Sequence, residues 1–179
     1  MNVMLLSGCA TTPGTHTSSY TSGGKVSGAP VYQSARHPEI SRTQANIPAV
    51  SRGPFSWPIK GTIASSFGEN VDHIKNKGLD ILARAGSEVR AARAGKVVFK
   101  DDKFKGFGKT VIIDHGDGYQ TVYAYNSQVL VNIGDPIAQN DVIAMVGTSG
   151  RAKVPCLHFE IRKNGEPQDP SGLLPKERI

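Results

Sequence analysis

From Gly61 onward, short apolar and β-branched runs recur with turn residues between them, the pattern of strands rather than helices. Residues 61–66 open the series. In Leu79-Asp80-Ile81-Leu82 the polar Asp80 alternates with apolar neighbours, so on an extended strand it points to the opposite face from them. Val89-Arg90-Ala91-Ala92 leads to a turn at Ala94-Gly95, and Lys96-Val97-Val98-Phe99 begins the next strand. Residues 110–114 and 120–125 flank His115-Gly116-Asp117-Gly118, whose Asp-Gly step is a strong hairpin signal. Val129-Leu130-Val131, residues 142–146 and residues 157–162 complete the predicted sheet, with Lys163-Asn164-Gly165 as the closing turn. Asp72-His73-Ile74-Lys75 reads as a solvated loop, and residues 100–109 as an exposed loop that closes a hairpin. No window carries a helical apolar period longer than about two turns, so the expected class is all-β.

The pattern is absent before this region. Of the 43 residues from 10 to 52, 21 are Ser, Thr, Gly or Pro, and the large apolar side chains stand singly. Such a stretch buries too little surface to offset its ordering entropy, which predicts a disordered linker with an r.m.s. span of roughly 35–40 Å. The predicted organisation is therefore a leader over 1–9, a linker over 10–52 and a domain over 53–179. Leu6-Ser7-Gly8-Cys9 matches a bacterial lipobox, which makes Cys9 the candidate lipidation site. Val3-Met4-Leu5-Leu6 is shorter than a secretory apolar region and Met1-Asn2 brings no charge, so the reading is a truncated lipoprotein signal whose true start lies upstream. Ala10 after the cysteine, rather than Asp, fits a lipoprotein held in the outer membrane and facing the periplasm. With Cys9 acylated, Cys156 is a lone thiol, read as a buried space-filler.

The candidate chemistry lies in Asn76-Lys77-Gly78-Leu79-Asp80 and Cys156-Leu157-His158-Phe159-Glu160. An open catalytic zinc site needs three protein ligands that are deprotonated at working pH, with the fourth position left for water. Only Asp80 and His158 suit that role, while Asn76 offers a neutral amide. Cys156 and His158 are two apart on a predicted strand and share a face, so an Asp80, Cys156 and His158 set is the alternative. Tyr125 would serve poorly as a general base, since a phenol titrates near pH ~10. His73 reads as part of a solvated loop, His115 as a structural residue at a strand end, and His16 and His37 as parts of the linker.

Phe55-Ser56-Trp57-Pro58-Ile59-Lys60-Gly61, Ser66-Phe67-Gly68, Lys77-Gly78-Leu79-Asp80-Ile81, Val111-Ile112-Ile113-Asp114-His115-Gly116 and Leu157-His158-Phe159-Glu160-Ile161-Arg162 resemble, in order and spacing, the LytM/lysostaphin-type peptidoglycan metallopeptidase domain. The resemblance runs from about Phe55 to Pro175. It implies an antiparallel sheet or sandwich, a duplicated hybrid motif of barrel-sandwich type. It also puts Asn76, Asp80 and His158 at the three zinc-ligand positions, Cys156 at a catalytic His position, and Tyr125 of Tyr123-Ala124-Tyr125 at the His of a Tyr-x-His motif. Three of these five positions depart from the active pattern. The variant resembles the degenerate NlpD-type subgroup, which implies no catalytic residue, no cofactor, and Asp80 and His158 as vestigial ligand positions. Its members activate cell-wall amidases and do not cut peptidoglycan themselves. Asn76, Tyr125 and Cys156 then become candidates for a partner surface. The expected partners are a cell-wall amidase, peptidoglycan, and a membrane reached through lipid on Cys9. No LysM-like wall-binding repeat precedes the domain, unlike many NlpD-type proteins. An active zinc endopeptidase and a structural peptidoglycan-binding lipoprotein are the alternatives.

Charge adds little. The net charge of +6 divides evenly, because residues 10–52 hold Lys25, Arg36, Arg42 and Arg52 against Glu39, leaving +3 for the domain. A mild positive field suits an anionic wall or an acidic partner. Nucleic acid is not an expected partner: the nearest basic and aromatic cluster, residues 100–109, carries two Asp and a Gly pair that favour a solvated face.

Overall fold

The computed structural model describes residues 53–176. The lipobox at Cys9 and the linker lie outside the described residues. The strands in chain order are β1 (Thr62–Ser65), β2 (Asn70–Val71), β3 (Ile74–Lys75), β4 (Leu79–Leu82), β5 (Glu88–Arg90), β6 (Gly95–Phe104), β7 (Gly108–Asp114), β8 (Tyr119–Val129), β9 (Pro136–Ile137), β10 (Val142–Val146), β11 (Cys156–Lys163) and β12 (Glu166–Gln168). A single 3-10 turn, Pro170–Gly172, is the helical element among them. No helix among the described residues is long and apolar enough to cross a membrane.

Ten strands form one sheet in the order β1-β4-β11-β8-β7-β6-β9, with β10 joined to β5 and β8, and β12 to β11. Every pairing is antiparallel. The all-β expectation holds. Strand β11 sits between β4 and β8 and is buried on both faces over most of its length. Its odd residues Leu157, Phe159 and Ile161 enter the main apolar core with Leu79 and Ile81 of β4. Its even residues Cys156, His158 and Glu160 face the other way. The period of two thus divides this strand into a packing face and a polar face.

Gly78 admits β4 to this position. A Cβ there would lie 2.1 Å from the Phe159 carbonyl oxygen, well inside contact distance, so only glycine lets the chain pass β11 at this point.

Several local expectations need correction. Residues 72–75 are not a loop throughout, since β2 and β3 pair as a small exposed hairpin, with Asp72 and His73 at its tip in the left-handed region. The predicted loop over 100–109 is strand as far as Phe104 and again from Gly108. A bulge between Asp101 and Phe104 let this segment accommodate polar residues on β6, which disguised it. The run at 129–131 ends its strand at Val129, where the chain leaves β8 and exposes Leu130.

His115, at the end of the β7–β8 hairpin, is fully buried and structural. Its Nδ1–H donates to the Ala94 carbonyl at 2.8 Å, and Nε2 lies 3.0 Å from Thr121 Oγ1. Burial pushes its pKa down to about 4, so the ring is neutral and accepts at Nε2. The chain continues through Thr121 Oγ1 to Tyr123 Oη at 2.9 Å, and the Ala92 N–H donates to that phenol at 2.8 Å.

The two ends of the described stretch are clasped. Gln139 donates to the Pro54 and Ala92 carbonyls, Ser56 donates to the Ala92 carbonyl from both backbone and hydroxyl, and Trp57 Nε1 donates to the Pro175 carbonyl at 3.0 Å. Phe55 packs beneath the buried Arg93, whose guanidinium lies 4.5 Å from the ring centroid and 2.6 Å from Asp117.

Candidate functional site

A cleft of about 650 Å³ opens on the polar face of β11. Its floor is built from β4, β8 and β11, because His158 has Asp80 of β4 as its cross-strand partner on one side and Ala124 of β8 on the other. One wall is the β2–β3 hairpin, and the other comprises the β6–β7 turn and residues 151–154. Asn76, Asp80, Tyr125, Cys156 and His158 all line this cleft.

The polar groups of the floor are committed to one another. His158 is almost fully buried, with Nδ1 2.7 Å from Asp80 Oδ1 and Nε2 3.1 Å from Glu160 Oε1. Both neighbours are carboxylates, which can only accept, so the pair favours a proton on each ring nitrogen. Burial opposes that charge, but the hydrogen bonds and charges of Asp80 and Glu160 prevail and raise the pKa above its ordinary value. Glu160 is fully buried; burial favours its neutral form, and His158 and Arg162 overcome this and hold the carboxyl below its usual range. Arg162 closes the row, with Nε and Nη2 at 2.7 and 2.6 Å from Glu160 Oε2. Asp80, His158, Glu160 and Arg162 thus alternate in sign and neutralise one another, which is what lets ions sit at such low exposure.

Asn76 is committed as well. Its Nδ2 donates to Ser65 Oγ at 2.9 Å and to Asp80 Oδ2 at 3.3 Å, while its Oδ1 accepts from the Gly78 N–H at 3.0 Å. The side chain therefore shapes the Asn76-Lys77-Gly78 turn that leads into β4. Cys156 is buried, and burial followed by the nearby Asp80 charge pushes its thiol up to about 11, so it is protonated at neutral pH. Tyr125 has φ of 68°, its N–H donating to the Phe107 carbonyl at 3.0 Å and its ring 5.3 Å from that of His158. Burial, then Asp80, raises its phenol pKa above the ordinary value.

This donor set departs from that of an open catalytic zinc site. A ligand imidazole needs a free lone pair, and Asp80 and Glu160 each favour a proton on the His158 nitrogen they face. A ligand thiol must ionise, and Cys156 is biased against it. Among the described residues no three His, Cys, Asp or Glu side chains are grouped as metal ligands. His73 lies on the exposed β2–β3 hairpin tip, away from these interactions.

Sequence reasoning missed Glu160 and Arg162 as members of the floor. The signal was present, because the same period of two that put Cys156 and His158 on one face continues to 160 and 162. It also missed Ser65, which meets Asn76 only through the β1–β4 pairing.

Residues 74–170 match the model of Peptidase family M23. The chain belongs to this family. Over 129 residues it is 40% identical to a "Lipoprotein NlpD/LppB homolog" of Pseudomonas aeruginosa, covering 72% of this chain and 42% of that protein. It is 37% identical over 124 residues to the "Murein hydrolase activator EnvC" of Escherichia coli, covering 69% of this chain and 29% of that one. The chain therefore spans less than half the length of these curated relatives. Among solved structures, a putative peptidase M23 from Pseudomonas aeruginosa superposes with a TM-score of 0.62 at 32% identity, covering 69% of this chain and 52% of that one. The M23 match begins at β3 and ends at the 3-10 turn, so it takes in all of the floor strands.

Proposed function

We propose that this M23 chain is a non-catalytic envelope lipoprotein. Its cleft docks a periplasmic N-acetylmuramoyl-L-alanine amidase and raises that enzyme's activity during peptidoglycan remodelling or daughter-cell separation. The observation that carries the reading is His158 held through both nitrogens by Asp80 and Glu160. With its imidazole so engaged, its thiol protonated and its amide tied into a turn, the floor has no group ready to activate water. Relatives named as an NlpD/LppB lipoprotein and as a murein hydrolase activator support the same reading. Activation by docking requires that the cleft bind the amidase's active conformation more tightly than its resting one. In this account Cys9 carries the lipid that anchors the protein in the outer membrane, residues 10–52 are the tether, residues 53–179 form the acting domain, and the protein needs no cofactor.

The test combines metal analysis of the purified full chain with dye-release assays on sacculi. The expected result is a metal-free protein, inert alone, that speeds hydrolysis by a demonstrably active amidase from the same organism. No change in the amidase's rate refutes the proposal. A second reading, a zinc endopeptidase using Asp80, Cys156 and His158, draws on the likeness to a putative M23 peptidase. It requires stoichiometric zinc and hydrolysis that His158→Ala abolishes. Sacculus binding with no effect on any amidase would instead favour a structural wall-binding lipoprotein.

A further inference from the structure

A line of aromatic rings leads out of the cleft along the β6–β7 hairpin. Phe107 lies edge-on to His158 with centroids 5.3 Å apart, Phe104 stacks on Phe107 at 5.4 Å, and Phe99 meets Phe104 edge-on at 5.1 Å. On a regular strand Phe99 and Phe104, five apart, would point to opposite faces. The bulge supplies the correction: three steps on β6, from Asp101 to Phe104, are matched by two on β7, from Thr110 to Gly108. Asp101 secures the extra residue by accepting from the Lys103 N–H at 2.6 Å. The bulge thus turns a charged stretch into one that shows Phe104 to solvent, 37% exposed.

The platform is tightly packed at its base. Gly108 is pressed so closely onto the loop after β10 that a Cβ would lie 2.3 Å from the Gly150 nitrogen, and the Lys109 and Arg151 N–H groups bond across the same seam. A preformed apolar surface loses little freedom on binding, which is what a docking site needs. Lys103 and Lys105 stand exposed beside Phe104, neither in an ion pair among the described residues, and the Arg151 guanidinium lies 5.9 Å from the Phe107 centroid. Lys100 is already engaged by Asn132.

From this arrangement we infer that the Phe99–Phe104–Phe107 ladder is a second docking surface, continuous with the cleft. It takes a peptide segment of the partner amidase that presents an apolar side chain to Phe104 and carboxylates to Lys103 and Lys105. The inference rests on the reading of the cleft as an amidase-docking site. Charge complementarity selects the occupant: one exposed ring, Phe104, stands between two exposed lysines, and although Asp102 is exposed as well, Lys103, Lys105 and Arg151 leave the rim net positive, which complements an acidic, apolar segment. The side chains flanking Phe104 in the chain are the charged Lys103 and Lys105 rather than neutral hydroxyl or amide groups, which favours a charged peptide over a neutral sugar.

Fluorescence anisotropy with the full chain and purified amidase from the same organism tests this, alongside sacculus pull-down. Phe104→Ser is expected to raise Kd roughly tenfold, as for a contributing interface aromatic. The Lys103→Glu/Lys105→Glu pair is expected to weaken binding most at low salt and to flatten its salt dependence. Val98→Ser, at an exposed apolar position outside the ladder, should change neither. If the unaltered protein binds and activates the amidase while Phe104→Ser binds with the same Kd, the ladder inference falls and the cleft reading stands. If the unaltered protein binds no amidase at all, the cleft reading falls first and takes the ladder with it. If Phe104→Ser loses sacculus retention and keeps amidase affinity, the surface reads glycan and the inference is overturned.

Discussion

Glu160→Gln is the sharpest probe of the self-neutralised floor. The change keeps size and shape but removes the negative charge between His158 and Arg162. Removing one partner of a buried ion pair costs roughly 3–5 kcal/mol. Two features of this site lower that figure: His158 can release its proton once Glu160 no longer holds it, and Arg162 is 27% exposed and can turn to water. A loss of ~2–3 kcal/mol follows, on the order of 10 °C in Tm for a domain of this size. The choice of pH matters. The raised pKa of His158 contributes stability that is complete below the ordinary value of 6.5 and is lost as pH rises through the folded value. The lowered pKa of Glu160 contributes stability that is complete above 4.5 and is lost as pH falls through its folded value. Urea unfolding followed by the fluorescence of Trp57, the single tryptophan, at pH 6 therefore samples both contributions. The imidazole titration of His158 followed by NMR should fall in the variant. A stability change below about 0.5 kcal/mol together with an unmoved His158 titration would refute the argument that these charges hold one another.

Two further outcomes are expected. His115, with a folded pKa of about 4 against an ordinary 6.5, is neutral when folded, so stability is complete above pH 6.5 and declines as pH falls towards 4, by about 3 kcal/mol in all. Urea midpoints across that range should show the decline in the unaltered protein and a shallower one in His115→Gln. Gly78→Ala drives a methyl against the Phe159 carbonyl and should cost roughly 3 kcal/mol or more and reduce amidase activation. Gly172→Ala, which meets nothing within 4 Å, should leave the thermal midpoint within about 2 °C, and an equal loss in both variants would remove the close-approach argument.

The all-β class, and the placing of Asp80 and His158 on one floor, were legible because both lie on strands whose period of two survives in the sequence. Asn76 was legible as a departure from a ligand pattern, but not as a turn-former, since its partner Ser65 is brought near only by β1 pairing with β4. The β6 strand was hidden for a different reason. A bulge and an exposed edge let Lys100-Asp101-Asp102-Lys103 sit on a strand without an alternating pattern, and composition read them as loop. Tyr125 marked a departure from a Tyr-x-His motif, yet nothing in its neighbours signalled a left-handed backbone at that residue, where its N–H bonds to the Phe107 carbonyl.

The clasp around residues 54–57 bears on how such a domain carries tension. A pull on the chain ahead of Gly53 is taken first by the grips of Gln139 on Pro54 and of Ser56 on Ala92, with Trp57 fastened to Pro175 behind them. The Ser56 grip reaches β8 through Ala92, whose N–H donates to Tyr123 Oη, and Phe55 meets Tyr119 of β8 edge-on at 5.5 Å. Force applied at Gly53 is thus spread over several hydrogen bonds and ring contacts before it reaches the sheet at Tyr119 and Tyr123.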